Sequence, residues 1–148
     1  MNKVKIVEYT PALAGAVADM WNKSSSGWNG ATMARTPEMV ISEHSSASHL
    51  NVFLAVTGDE VIGYCSLDKY THDEGALYIN LLNVRPDYHG KKVGKMLVLT
   101  CVEKTLELGW PRLDLYTWPG NTKAVPLYKK CGFFWEKRDN TTHLMNFV

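Results

Sequence analysis

The stretch His89-Gly90-Lys91-Lys92-Val93-Gly94-Lys95-Met96-Leu97 sets three lysines and two glycines ahead of an apolar run that continues through Val98, Leu99, Cys101 and Val102. Upstream, ALYINLLNV (Ala76 to Val84) is apolar and β-rich and stops at Arg85-Pro86, which predicts a strand. Downstream, the apolar run predicts a helix from Val93 to about Leu108, with Gly109 as its C′ residue. A strand, a proline-marked turn and a helix start bring unpaired backbone N–H groups and the positive end of the helix dipole to one spot. Gly90 and Gly94 let backbone approach a ligand closely, while Lys91, Lys92 and Lys95 favour phosphate over carboxylate. The loop is no P-loop, because Gly-Lys-Ser/Thr is missing, and it lacks the three glycines of the dinucleotide fingerprint. Taken alone, the lysines also read as the solvated face of a helix and the glycines as turn residues.

The flanking sequence completes a mixed α/β pattern. KVKIVEY (Lys3 to Tyr9) alternates as a strand, and Pro11 opens a helix with Leu13, Ala14, Val17, Met20 and Trp21 on one stripe. KSSSGWNGATMAR reads as a loop, and Thr36-Pro37-Glu38 as the N-cap of a short helix over Met39 to Ser45. From Asn51 two β-rich runs meet at Gly58-Asp59, a hairpin signal. After Gly109, RLDLYTW (Arg112 to Trp118) predicts a strand and Thr122 to Cys131 a helix; FFWEKR and THLMNFV predict a final antiparallel pair. The expected fold is α/β (α+β), a mixed and mostly antiparallel central sheet flanked by helices on both faces. A chain of 148 residues suits a single domain spanning 1–148, and its close on an apolar run suggests truncation from a longer parent.

Lys and Arg total 16 against 15 for Asp and Glu, so no global field recruits nucleic acid or anionic membrane. Three lysines and a histidine are too narrow a basic patch for nucleic acid. No apolar run is long enough for a span, and no secretory signal is readable, so a cytoplasmic location is expected. Cys65, Cys101 and Cys131 lack Cys-x-x-Cys spacing and read as reduced, buried thiols. His44, His49, His72, His89 and His143 show no metal-ligand spacing, and no metal is expected.

NVRPDYHGKKVGKMLVLTCVEKTLELG followed by LYTWPGNTKAVPLYKKCGFF resembles the coenzyme-binding core of the GNAT superfamily of N-acetyltransferases. The first segment is similar to its signature loop, with Gly94 in register, His89 where the family has Arg or Gln, and Lys92 where it has its first glycine. The second is similar to its Asn-x-x-Ala-x-x-x-Tyr-x-x-x-Gly-Phe helix, carried by Asn121, Ala124, Tyr128, Gly132 and Phe133. The resemblance implies acetyl-coenzyme A as co-substrate. Its pyrophosphate would lie on backbone N–H groups of His89, Gly90, Lys91, Lys92, Val93, Gly94 and Lys95. Its pantetheine arm would pair like an added strand near Leu82, Asn83 and Val84, Asn121 would hold an amide, and Tyr128 would reach the sulfur. It implies an amine acceptor, small molecule or peptide, and is compatible with a homodimer.

Acetyl transfer to an amine needs a neutral nitrogen, a polarised carbonyl and a proton for the departing thiolate. By the resemblance Tyr128 supplies the proton, and a backbone N–H near Leu82 or Asn83 polarises the carbonyl. Family members often carry a carboxylate base on the strand face that alternates with Val84. Here that face reads Ala76, Tyr78, Asn80, Leu82, without an acid. Tyr78 and Asn80 are candidates to hold a proton-relaying water, though sheet packing explains them equally. A lysine-type amine of pKa near 10.4 is neutral about once in a few thousand at pH 7, a cost of roughly 4–5 kcal/mol; an α-amine near 8 is neutral about a tenth of the time. Weakly basic amines are therefore the expected acceptors. Trp28, in the loop after the first helix, is a candidate floor for the acceptor or a core plug. The rival reading is a non-catalytic acyl-coenzyme A-binding sensory or regulatory domain.

Overall fold

Antiparallel pairing begins at the amino terminus of this computed structural model, which describes residues 3–23, 35–46, 51–69, 75–117, 124–138 and 143–147. β1 (Lys5–Glu8) pairs with β2 (Asn51–Thr57), which turns at Gly58-Asp59 into β3 (Glu60–Lys69). Between β1 and β2 stand a 3-10 turn (Pro11–Leu13), α1 (Ala14–Lys23) and α2 (Pro37–Ser46). Thr36 Oγ1 accepts the Met39 N–H at 3.2 Å, the cap read from the sequence, worth about 0.5–2 kcal/mol. β4 (Ala76–Val84), α3 (Val93–Glu107), β5 (Arg112–Thr117), α4 (Ala124–Lys130), β6 (Phe134–Arg138) and β7 (His143–Phe147) complete the chain. α3 ends at Gly109, whose φ of 78° suits the left-handed position after a helix.

The seven strands run in the order β1-β2-β3-β4-β5-β7-β6. All described neighbours are antiparallel except β4 and β5, which are parallel, with α3 as the crossover. One face buries Ile62, Leu67, Leu77 and Leu113 under Leu97 and Val98 of α3, joined by Tyr128 of α4. The other buries Val52, Leu54, Val61 and Tyr64 under Val17 and Met20 of α1 and Val40 of α2. The mixed, mostly antiparallel sheet with helices on both faces is the architecture expected.

One detail of β4 overturns the sequence reading. Leu81 sits opposite Ser66 and Ile79 opposite Leu67, so Asn80 is an extra residue, a β-bulge. An extra residue reverses the side-chain alternation beyond it. Leu77 and Ile79 therefore share the α3 face with Leu82 and Val84, while Leu81 packs toward α1 and α2. The row Ala76, Tyr78, Asn80, Leu82 is not one face: strict alternation was assumed, and the bulge breaks it.

Candidate active site

The turn from β4 to α3 is held by Arg85. Its side chain is 8% exposed and forms a two-pronged pair with Asp87 (Nε–Oδ1 2.7 Å, Nη2–Oδ2 2.9 Å). Nη1 reaches Glu60 Oε2 at 2.5 Å, tying the turn to the β2–β3 hairpin, and its backbone N–H donates to the Ile62 carbonyl at 2.8 Å. The guanidinium holds the Asp87 and Glu60 carboxyls below their ordinary range; the Asp87 hydrogen bond in turn raises that of Arg85. Sequence reasoning read Arg85 only as the end of a strand; the Arg-Pro-Asp spacing was the available signal.

Pro86 to Tyr88 form a 3-10 turn, and the His89 N–H is spent on the Pro86 carbonyl at 3.2 Å. This corrects the expectation that the His89 N–H belongs to the anion cradle. The His89 ring donates from Nε2 to the Val84 carbonyl at 2.8 Å, stapling the turn to the end of β4. From Gly90 to Lys95 no backbone N–H makes a close, well-aligned hydrogen bond to another described group, and residues 89–92 form a turn. Gly90 (φ 78°) and Lys92 (φ 66°, ψ 14°) are left-handed, the geometry of a backbone nest that converges N–H groups on an anion. Lys91 and Lys92 are exposed and Lys95 is half-buried. Val93 is buried beneath the helix start. A Cβ on Gly94 would meet Leu127 at 3.2 Å and Val84 at 3.6 Å, so this glycine lets α3 close on α4 and β4.

Next to the cradle the sheet divides. β4 and β5 pair from Ala76↔Arg112 to Ile79↔Leu115 and no further among the described residues. β4 continues to Val84 along β3, and β5 continues to Thr117 along β7. The backbone of Leu81, Leu82, Asn83 and Val84 thus keeps an edge that β5 does not cover, beginning at the bulge. An extended ligand can add there as a strand does.

Tyr128 stands on the α3 face beside this notch. Gly132 (φ 100°) donates its N–H to the Lys129 carbonyl at 3.1 Å, and Phe133 donates to the Tyr128 carbonyl at 3.0 Å. These bonds make a Schellman ending for α4, with the Tyr128 and Phe133 rings in its hydrophobic contact at 6.2 Å. The spacing Tyr-x-x-x-Gly-Phe is thus a device that stops the helix and seats the phenol. Burial, aided by the Cys65 and Cys131 thiols, pushes the phenol pKa up to about 12. It therefore stays protonated at working pH and is a donor. All three cysteines are free and buried, with Cys65 Sγ 3.4 Å from Cys101 Sγ.

The opposite face carries polar groups that sequence reasoning missed. Tyr64 is directly across from Asn83 and hydrogen-bonds to His44 at 2.8 Å; Tyr9 stacks on His44 at 4.2 Å. Tyr9 Oη, Ser66 Oγ and Asn83 Nδ2 are buried with no hydrogen-bond partner. Left without water or a ligand, each such group costs about 1–3 kcal/mol. Tyr78 is half-buried between Asp68 of β3 and Asp114 of β5, and Asp114 is paired with Arg112 at 2.8 Å. The side chain of Asn80, together with Trp28 and Asn121, lies outside the described residues. No group of three or more metal-binding side chains is gathered among the described residues, and no described helix is long and apolar enough to cross a membrane.

A family model for the acetyltransferase (GNAT) family matches residues 16–133. The chain belongs to the GNAT family of acetyltransferases. It is similar to YvbK, an uncharacterized N-acetyltransferase of Bacillus subtilis, at 30% identity over 95 residues, 64% of this chain and 60% of that protein. It is 35% identical over 66 residues to mycothiol acetyltransferase of Propionibacterium freudenreichii, 45% of this chain and 20% of that protein. The chain thus spans less than two thirds of the length of these relatives. The crystal structure of PaiA N-acetyltransferase from Thermoplasma acidophilum in complex with coenzyme A shares the fold, with a TM-score of 0.75 and 19% identity over 98% of both chains.

Proposed function

We propose that this GNAT domain is an N-acetyltransferase that binds acetyl-coenzyme A and passes its acetyl group by direct attack to a primary amine of a small molecule or peptide. The observation that carries the reading is the run of N–H groups from Gly90 to Lys95, none of them in a close, well-aligned hydrogen bond, beside the uncovered edge of β4. Those N–H groups, with Lys91, Lys92 and Lys95, fit a diphosphate; Leu82, Asn83 and Val84 fit the amides of an extended arm. The coenzyme complex of PaiA supports this choice of co-substrate. The Val84 carbonyl already accepts from His89, so Leu82 and Asn83 carry more of the pairing.

The coenzyme supplies an activated acyl carbon and a thiolate leaving group. Tyr128, held protonated by burial, donates to the departing sulfur. An N–H of the uncovered β4 edge polarises the carbonyl. The acceptor approaches from the face opposite Tyr128, and weakly basic α-amines are preferred over lysine-type amines. Asn121 and Trp28 keep only the roles that the family resemblance suggests, and the bulge at Asn80 removes the shared face on which a Tyr78 and Asn80 water relay rested.

Thiol release from acetyl-coenzyme A across an amine panel, wild type against Tyr128→Phe, tests the reading. Amine-dependent release that falls about 10²-fold or more in the variant is expected. Coenzyme-dependent thermal stabilisation without amine-dependent release refutes catalysis and favours the sensory-domain reading.

A further inference from the structure

Among the described residues β4 offers no carboxylate to take the amine's proton. The groups that remain lie on the face opposite Tyr128. His44 Nδ1–H donates to the Val40 carbonyl at 2.8 Å, one turn back on α2. In the neutral ring this leaves Nε2 bare, and Nε2 is the atom 2.8 Å from Tyr64 Oη, so the phenol donates to it. A histidine fixed by a backbone carbonyl, with its second nitrogen turned to a hydroxyl, is arranged to receive a proton.

The pair is placed for that task. Tyr64 and Cys65 are consecutive on β3, opposite Asn83 and Leu82 of β4, in the segment that β5 leaves uncovered. Cys65 and Leu82 belong to the Tyr128 face; Tyr64 belongs to the α1–α2 face. One phenol therefore stands on each side of the notch at adjacent positions. Direct attack brings the nitrogen onto one face of the planar carbonyl while the sulfur starts in its plane, so the two proton transfers occur at different places and can be served by separate groups, Tyr128 for the sulfur and Tyr64 for the nitrogen. Asn83 is opposite Tyr64, Ser66 is two residues further along β3 and Tyr9 stacks on His44; their Nδ2, Oγ and Oη atoms are buried without a hydrogen-bond partner, and Ser66 is fully buried. Buried atoms of this kind are paired by ordered water or by a polar ligand.

We infer that His44, acting through Tyr64, is the proton acceptor for the amine in this domain. The inference rests on the transferase reading above. As the nitrogen–carbon bond forms and the carbon–sulfur bond breaks, the nitrogen's proton passes to Tyr64 Oη while the Tyr64 proton moves to His44 Nε2. The sulfur takes the Tyr128 proton, and solvent then carries the proton from imidazolium back to the Tyr128 phenolate. Tyr64 is the group that meets the amine and His44 is its positioning residue. Among the described residues Tyr9 stacks on His44, while Asp68 of β3, Tyr9 and Arg35, itself paired with Glu43 of α2, act electrostatically on Tyr64.

The test is the pH profile of kcat/KM for amine-dependent thiol release in wild type, His44→Gln, Tyr64→Phe and the double variant. The expected result is an ascending limb between about pH 5 and 8, where imidazoles as a class change charge. It is lost in both single variants with a fall of about 10²-fold at pH 7 and unchanged coenzyme-dependent thermal stabilisation. The double variant falls no further than either single one, because the two groups act as a unit. A limb and rate that survive in His44→Gln overturn the inference while leaving the transferase reading intact; a wild type without amine-dependent release overturns both. If His44→Gln does not fold, Tyr64→Phe, which keeps the ring, decides by the same two readouts. Independently of turnover, long-range nitrogen–proton NMR should show His44 protonated at Nδ1 and bare at Nε2 in the resting protein. The reverse tautomer also overturns the inference.

Discussion

Lys92 is the described non-glycine residue with positive φ, at 66°, where the family signature has glycine. A left-handed conformation costs a residue with a Cβ about 1–2 kcal/mol. Glycine relieves that cost but adds roughly 0.5–1 kcal/mol of unfolded-chain entropy. Lys92→Gly should therefore stabilise the domain by a net of about 0.5–1 kcal/mol, raising its melting temperature by about 1–4 °C at this size. Lys92→Ala keeps the Cβ and should melt close to wild type, within about 0.5 kcal/mol. Both variants lose one exposed ammonium beside the diphosphate, an interaction of about 1 kcal/mol at 4 Å in water. Coenzyme A should bind both about fivefold more weakly at low salt, a gap that closes near 1 M, where the screening length shrinks to about 3 Å. Melting curves and calorimetric titrations at two salt concentrations separate backbone from charge. A Lys92→Gly variant that melts at or below Lys92→Ala would refute the claim that the loop holds a strained backbone in place for an anion.

Tyr128→Phe should bind the coenzyme nearly as wild type does, read as thermal stabilisation, while turnover drops; with the phenol pKa near 12, Tyr128 should impose no falling alkaline limb below about pH 10. A Cβ at Gly63 would lie 2.8 Å from Leu97 Cδ1 and 3.1 Å from both Ala55 Cβ and Val93 Cγ1, so Gly63→Ala should cost about 1–3 kcal/mol in denaturant melts. Asp87 and Glu60 have depressed folded pKa values, so the unfolded chain binds more protons than the folded one in acid. Their stabilisation is complete above their ordinary carboxylate range, near pH 4 to 4.5, and is lost as pH falls through the folded values. Urea melts of Arg85→Met should thus lie below wild type at pH 7, with the gap narrowing as pH falls below about 4.

Much of the fold was legible because its signals are local. The span Ala76 to Val84 has strand composition bounded by proline, Thr36 caps α2, and Gly109 closes α3; each is decided within a few residues. The bulge at Asn80 was not legible. It arises from matching β4 against β3, and nothing in ALYINLLNV distinguishes a run that alternates throughout from one that slips by a residue. The same limit hid His44 and Tyr64, twenty positions apart, whose hydrogen bond exists only because α2 folds over β3. The glycines, lysines and helix start of the Gly90 to Lys95 loop are contiguous, so its backbone geometry was open to local reading. The bond that spends the His89 N–H and the carboxylates that hold Arg85 were not, because they depend on groups brought in by the 3-10 turn and the hairpin.

The short parallel seam from Ala76 to Ile79 makes the domain two leaves on a narrow spine, β1 to β4 on one side and β5 to β7 on the other. Anything lodged beyond the end of that spine acts as mortar between the leaves, so occupancy there governs how readily they breathe apart. Amide exchange at Leu113 and Leu115, buried residues of the spine itself, would then slow on coenzyme binding and turn the spine into a built-in reporter of a filled notch.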